Sequence, residues 1–213
     1  MNLKEYMSVK SYMVENFLEK ILSEGTEIPI ISDAMRYSVF AGGKRLRPII
    51  SIMACELFEG KAEDVLPIAC CIELIHTYSL IHDDLPAMDD DDYRRGKLAN
   101  HKVFGEGFAI LAGDALLNKA YETMLENIST SMKQEYIEAA YVISKAAGDI
   151  GMIGGQSIDL YYENREIAIA KLNEMHDRKT GALIKASLEA GAIIAKASKS
   201  DIKRMGDYGE LIG

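Results

Sequence analysis

The chain has 213 residues, a formal net charge of −9 and no Pro-, Ser- or Gly-rich linker, so residues 1–213 are expected to form one domain with a substantial core. So acidic a surface opposes nucleic acid and anionic membranes. With no basic-then-apolar leader and no unbroken apolar run of about 20 residues, the expectation is a soluble cytoplasmic protein that binds cations, or anions carried in by cations.

Four prolines, no tryptophan and abundant Ala, Leu, Ile, Lys, Glu and Met indicate an all-α chain. Cys55, Cys70 and Cys71 lack metal-ligand spacing and read as small buried residues in a reducing compartment. Residues 3–23 predict an amphipathic helix with Tyr6, Val9, Met13, Phe17, Leu18 and Ile21 on its apolar side. After Gly25 and Pro29 a second helix is expected from an N-cap at Ser32 to Phe40, stopping at Ala41-Gly42-Gly43. In GGKRLRP, Gly42 to Pro48, the proline suits the first turn of a helix and is expected to open the next one, which leaves Lys44, Arg45 and Arg47 on a turn at a helix N-terminus that favours an anion. Residues 63–81 are apolar nearly all round and predict a central helix, ended by Pro86. Further helices are expected from about 107 through Met124, over 131–147, through Gln156 to Tyr161, and over 167–197 with a bend near Gly181. The glycines of 148–155 read as a loop or a closely approached helix, and residues 201–213 begin a last helix.

Between Asp83 and Asp92 six of ten residues are aspartate, a repulsive cluster that needs water or bound cations to neutralise it. A solvated acidic loop is one reading. The other follows from geometry: at about 100° per residue His76 and Asp83 share one helix stripe, with Ser79 between them. Asp83 and Asp89 are six apart and would diverge on an unbroken helix, but a break at Pro86 lets them converge. Their oxygens suit Mg²⁺, which keeps positions for water and substrate phosphates. A calcium loop starting at Asp89 fails, because arginine stands where the turn glycine belongs and Asn100 where the bidentate glutamate belongs. Lys44, Arg47, Arg94, Arg95 and Lys179 are candidate phosphate donors, and the short interval from the acidic cluster to Arg94-Arg95 suggests a metal-bridged diphosphate.

The motifs GGKRLRP (42–48), SLIHDDLPAMDDDDYRRG (79–96), LAGDALL (111–117), GGQSIDL (154–160) and HDRKTGALI (176–184) stand in an order and spacing that resemble the trans-polyprenyl diphosphate synthases, bacterial farnesyl diphosphate synthases in particular. An aspartate-rich cluster alone would also fit terpene cyclases; GGKRLRP and the KTG segment would not. The resemblance implies an isoprenoid-synthase-type helical bundle around a central cavity, Mg²⁺ as cofactor and a homodimer. It also implies head-to-tail transfer of an allylic group, dimethylallyl or geranyl, to isopentenyl diphosphate. By that resemblance Asp83 and Asp89 hold Mg²⁺ with support from Asp84. Lys44, Arg47, His76 and Arg95 bind isopentenyl diphosphate, and Arg94, Lys179, Thr180 and Gln156 serve the allylic diphosphate. Gln156 and Asp159 line the cavity, and Asp83, Asp89, Arg94 and Lys179 carry catalysis. Tyr78 and Ser79 stand where the family sets chain length, which favours a C15 product, farnesyl diphosphate, over geranylgeranyl or geranyl diphosphate.

The family also carries a second aspartate-rich motif on a later helix. Here YGELIG, 208–213, reads as the lead-in to that helix, so the chain is expected to be incomplete at its C-terminus. Two further classes stay open: a non-catalytic partner subunit, and a helical protein that binds Mg²⁺ but neither diphosphate.

Overall fold

The structure, a computed structural model, describes residues 2–23 and 28–213. Those residues form the helices α1 (Leu3–Ser23), α2 (Pro29–Val39), α3 (Leu46–Leu57), α4 (Ala62–Asp83), α5 (Asn100–Phe104), α6 (Glu106–Ser131), α7 (Gln134–Ala147), α8 (Met152–Tyr162), α9 (Ile169–His176), α10 (Ala182–Ile194) and α11 (Lys199–Ile212). A two-stranded antiparallel hairpin, β1 (Tyr93–Arg94) and β2 (Lys97–Leu98), follows the acidic cluster, and a π-helical turn, Asp177–Gly181, joins α9 to α10.

The all-α expectation holds. α4 lies at the middle and packs against α6, α3, α10, α1, α7 and α2. Its fully buried Val65, Ile68, Ile72, Leu74 and Ile75 point to several sides of the helix, as a sequence without a polar stripe requires. By length and composition α4 could cross a bilayer, but here it is the core helix that the other helices cover.

Several local expectations are corrected. In α1 the expected Met13, Phe17, Leu18 and Ile21 do pack against the core, but the buried line is Lys10, Val14, Leu18 and Leu22, and Val9 is exposed. The helix is rolled because Tyr6 and Lys10 both reach Glu56 on α3, Lys10 Nζ at 2.5 Å, so polar contacts set its orientation as well as apolar ones. Ser32 lies inside α2, which starts at Pro29 with Ile28 as N-cap; proline at the first helical position makes a side-chain cap dispensable there. Gly25 falls outside the described residues. α3 begins at Leu46, so Pro48 sits within its first turn and does not open it. The predicted helix over 167–197 is divided at the π-turn, where the bend near Gly181 was expected. That turn inserts one extra residue into the helical ladder, a feature frequent at functional sites, and it carries Lys179 and Thr180.

The close-approach reading of the 148–155 glycines also holds. A Cβ on Gly155 would overlap the backbone nitrogen of Lys179, so α8 and the π-turn touch main chain to main chain. We expect Gly155→Ala to drive the two apart at a cost of about 1–3 kcal/mol of stability, the usual range for overpacking. A thermal melt within 1 °C of wild type would show that the turn yields.

Candidate active site

Two cavities meet on α4. The first, about 300 Å³, is lined by Tyr78, Ser79, His82 and Asp83 of α4, by Met152, Gln156 and Leu160 of α8, and by Lys179 and Thr180 of the π-turn. The second, about 460 Å³, is lined by the segment 41–47 together with Glu73, His76 and Arg95. Arg47 and His76 line both, so the two spaces are neighbours across a shared wall.

The second cavity is cationic. Lys44 is exposed at its rim, and Arg95 donates to the Gly42 carbonyl oxygen. Gly43 adopts φ 137, and a Cβ there would stand 2.6 Å from Arg95 Nη1, so only glycine lets the arginine lie across this turn. Burial, and then the charge of Arg95, lower the pKa of Arg47. Burial and then Arg47, Arg95, Arg94 and Arg45 push His76 down to about 3, so at neutral pH it is an uncharged imidazole among cations. So much unneutralised positive charge suits a polyanion.

One predicted member of this group lines the cavity with its charge already paired. Arg45 is 2% exposed and turned inward, donating from Nη1 to Glu73 Oε1 at 3.0 Å and from Nη2 to the Val39 carbonyl at 2.7 Å, with φ 50 at the N-cap of α3. It is a strut and not an anion ligand. Glu73 was not singled out in the sequence, although an acid inside an otherwise apolar helix, opposite a basic motif, was a readable signal.

At the other end of the wall the chain reverses after Asp83. The Asp89 amide donates to the Asp83 carbonyl oxygen at 2.8 Å, which returns Asp89 to Asp83 as the break near Pro86 was expected to do. Burial pushes the Asp83 carboxyl up to about 6; Lys179 opposes the rise, while Asp89 and Asp84 add to it. A half-buried Asp83 with the exposed Asp89 brought back beside it fits an Mg²⁺ site whose carboxylates need a cation.

Asp84 is placed differently from the expectation. It is 2% exposed and accepts from Arg94 Nε at 2.9 Å, and Arg94 also reaches Asp91 at 3.3 Å. Both therefore face a separate pocket shared with Tyr37, Thr77 and Asn100, away from the Asp83 cavity. The end of β1 aims Arg94 there, while Arg95, the first residue of the hairpin turn with a left-handed φ of 53, reaches back to Gly42. Lys179 donates to Asp159 Oδ2 at 2.6 Å at the edge of the first cavity, with Thr180 and Gln156 beside it. Sequence reasoning missed His82 and Met88, which line the same cavity. His82 Nε2 lies 3.1 Å from the Ile110 carbonyl oxygen against Gly113, a placement that only the packing of α4 on α6 creates.

The family model described as polyprenyl synthetase matches residues 28–213. The chain is 44% identical to a dimethylallyltranstransferase of Fischerella ambigua (strain UTEX 1903), over 100% of this chain and 61% of that protein. It is 43% identical to a geranylgeranyl diphosphate synthase of Cyanophora paradoxa, over 100% of this chain and 71% of the relative. With a farnesyl diphosphate synthase of Bacillus subtilis the identity is 41%, over 99% of this chain and 72% of the relative. Across these three relatives it spans 61–72% of their length. Among solved structures, an apo FPP/GFPP synthase from Zymomonas mobilis superposes with a TM-score of 0.92 at 38% identity, covering 99% of this chain and 77% of that one. A geranyltransferase from Legionella pneumophila also gives 0.92, at 38% identity and 98% and 74% coverage. The fold is the helical bundle of these synthases, and the chain belongs to the polyprenyl synthetase family.

Proposed function

We propose that the protein carrying these residues is a prenyltransferase that condenses isopentenyl diphosphate with dimethylallyl or geranyl diphosphate to give farnesyl diphosphate. The observation that carries this reading is the shared wall: a cationic cavity and a largely apolar cavity lined by Asp83 meet through Arg47 and His76. One substrate diphosphate is held by Lys44, Arg47 and Arg95, with neutral His76 as a hydrogen-bonding neighbour. The second substrate lies with its diphosphate toward Asp83, Asp89 and Lys179 and its hydrocarbon in the cavity of Tyr78, Met152 and Leu160. Mg²⁺ held by Asp83 and Asp89 would supply Lewis-acid stabilisation of the departing diphosphate. Lys179 and Thr180 orient that diphosphate, and Gln156 faces the reacting end of the chain. Apolar walls keep water from the electron-poor allylic carbon.

Incubation with labelled isopentenyl diphosphate, geranyl diphosphate and Mg²⁺, followed by chromatography of the extracted products, tests the proposal. A C15 product is expected; a C20 product would make it a geranylgeranyl diphosphate synthase, and a C10 product from dimethylallyl diphosphate a geranyl diphosphate synthase. Binding of both diphosphates with no product would make it a non-catalytic partner subunit. Tyr78, 5% exposed with its ring against the cavity, is the proposed floor. Tyr78→Ala should therefore lengthen the product by at least one C5 unit, and an unchanged C15 product would place the floor elsewhere. A homodimer is proposed as well, with light scattering as its check.

A further inference from the structure

Beyond Asp83 and Asp89 the acidic turn continues through Asp90 and Asp92, and these two do not belong to the cavity. The charges acting on Asp83 are those of Lys179, Asp89, Arg94 and Asp84, whereas Asp90 and Asp92 act on Lys102, on the outer side of the turn. One carboxylate oxygen of Asp90, one of Asp92 and a ring nitrogen of His101 all lie within 4.8 Å of one another.

His101 is the independent observation. It is 6% exposed, and both of its ring nitrogens are buried without a hydrogen-bond partner among the described residues. An imidazole buried in that state loses hydrogen bonds it had in water, so its position calls for a ligand on at least one nitrogen. The backbone around the three residues is tied down from several sides. Asn100 Nδ2 donates to the Ala34 carbonyl and to Ser38 Oγ, each at 2.8 Å, anchoring α5 to α2. The Ala99 amide donates to the Asp92 carbonyl at 2.8 Å, and the Asp90 amide to the Leu85 carbonyl at 3.1 Å. Asp92 is occupied on one oxygen by Lys102 Nζ at 2.6 Å.

We propose that Asp90, Asp92 and His101 form a second cation site, separate from the aspartates of the cavity and selective for a divalent metal that accepts imidazole, such as Zn²⁺ or Co²⁺. A hard Mg²⁺ ion prefers all-oxygen ligands, whereas one imidazole with two carboxylates suits Zn²⁺ and its neighbours. Tetrahedral ligands at Zn–N and Zn–O distances of about 2.0–2.2 Å stand about 3.3 Å apart. The observed spread therefore closes by rotation of the two exposed aspartate side chains onto the fixed histidine, with Lys102 released from Asp92. Water completes the coordination on the open side. Bound there, the metal ties the turn after α4 to α5, on either side of the hairpin that carries Arg94 and Arg95.

The test is titration of the untagged chain with Co²⁺ in excess Mg²⁺, reading visible absorption and stoichiometry. One Co²⁺ per chain with a nitrogen-ligated spectrum is expected. His101→Ala should weaken binding by about 100-fold or more, since loss of even an outer-shell partner costs 10–100-fold. Asp92→Asn, an exposed change that leaves folding intact, should weaken it by about 10-fold or more, on the same scale. Lys102→Met should tighten binding by removing the competing cation, and Asp83→Asn should leave it unchanged. No Co²⁺ absorption, or absorption that survives both Asp92→Asn and His101→Ala, would overturn the proposal. Loss of binding in Asp83→Asn would likewise overturn it, by assigning the metal to the cavity aspartates.

Discussion

Glu73→Ala should cost about 3–5 kcal/mol of folding stability, the loss expected when one member of a buried ion pair is removed and the other is left uncompensated. Arg45 and Glu73 are each 2% exposed, and their 3.0 Å contact crosses from the turn before α3 to the middle of α4. The nearest other carboxylate, Glu15, stands 3.5 Å from Arg45 Nε with its own side chain half in solvent, too far and too wet to replace Glu73. Urea denaturation measures the change. The double variant Arg45→Met with Glu73→Leu should recover most of the loss, because paired apolar replacements remove the desolvation cost along with the attraction. A drop below about 1 kcal/mol for Glu73→Ala alone would mean that the pair is not a strut. The consequence reaches the site: Arg45 is itself the left-handed residue between Lys44 and Arg47, so a loosened strut should also weaken binding at the cationic cavity.

Asp83→Asn should reduce Mg²⁺-dependent binding of a non-hydrolysable geranyl diphosphate analogue by about 100-fold or more, in keeping with losses at metal sites, as read by calorimetric titration. The same variant should make the metal-free fold more stable at pH 7.5. The sign follows from the direction of the shift. Asp83 is raised from its ordinary 3.8 to about 6, so above pH 6 the folded protein carries an ionised group that the unfolded chain holds more easily. That destabilisation is fully present above about pH 6 and is relieved as pH falls from about 6 toward 3.8. Melting in EDTA should therefore separate variant from wild type at pH 7.5, and the gap should narrow at pH 4.5. His76 works in the other sense: lowered to about 3 from 6.5, it destabilises the fold as pH drops below 6.5, because only the unfolded chain gains its proton. A variant less stable than wild type at pH 7.5 in EDTA would show that Asp83 is not held at a cost. Sites kept for function commonly carry such a cost.

Much of this was legible in the chain because it rests on local rules. Helical periodicity placed α1, α4, α7 and α8 within a few residues of where they lie, and proline near Asp83 foretold the reversal that returns Asp89. The turn at Gly42-Gly43 and the bend near Gly181 followed from glycine's freedom and small size. What misled was a choice among faces. Tyr6 and Lys10 rolled α1 toward Glu56, and nothing local to α1 names a partner on α3.

The sequence by itself determined an all-α bundle, an acidic turn at the end of its central helix, and a basic turn at a helix N-terminus. Those depend on spacing along one chain. Tertiary structure decided which charges serve which purpose. Arg45 was withdrawn to Glu73, and Asp84 and Arg94 to each other, while Lys179, paired with Asp159, stayed at the Asp83 cavity and Lys44, Arg47 and Arg95 around the cationic one. The physical reason is that a charge's role is set by its burial and by the nearest opposite charge, and both depend on residues 10 to 28 positions away in the chain. In the acidic cluster the six aspartates look equivalent as letters; folding divides them among the cavity, the partly exposed Arg94 and the side that faces His101.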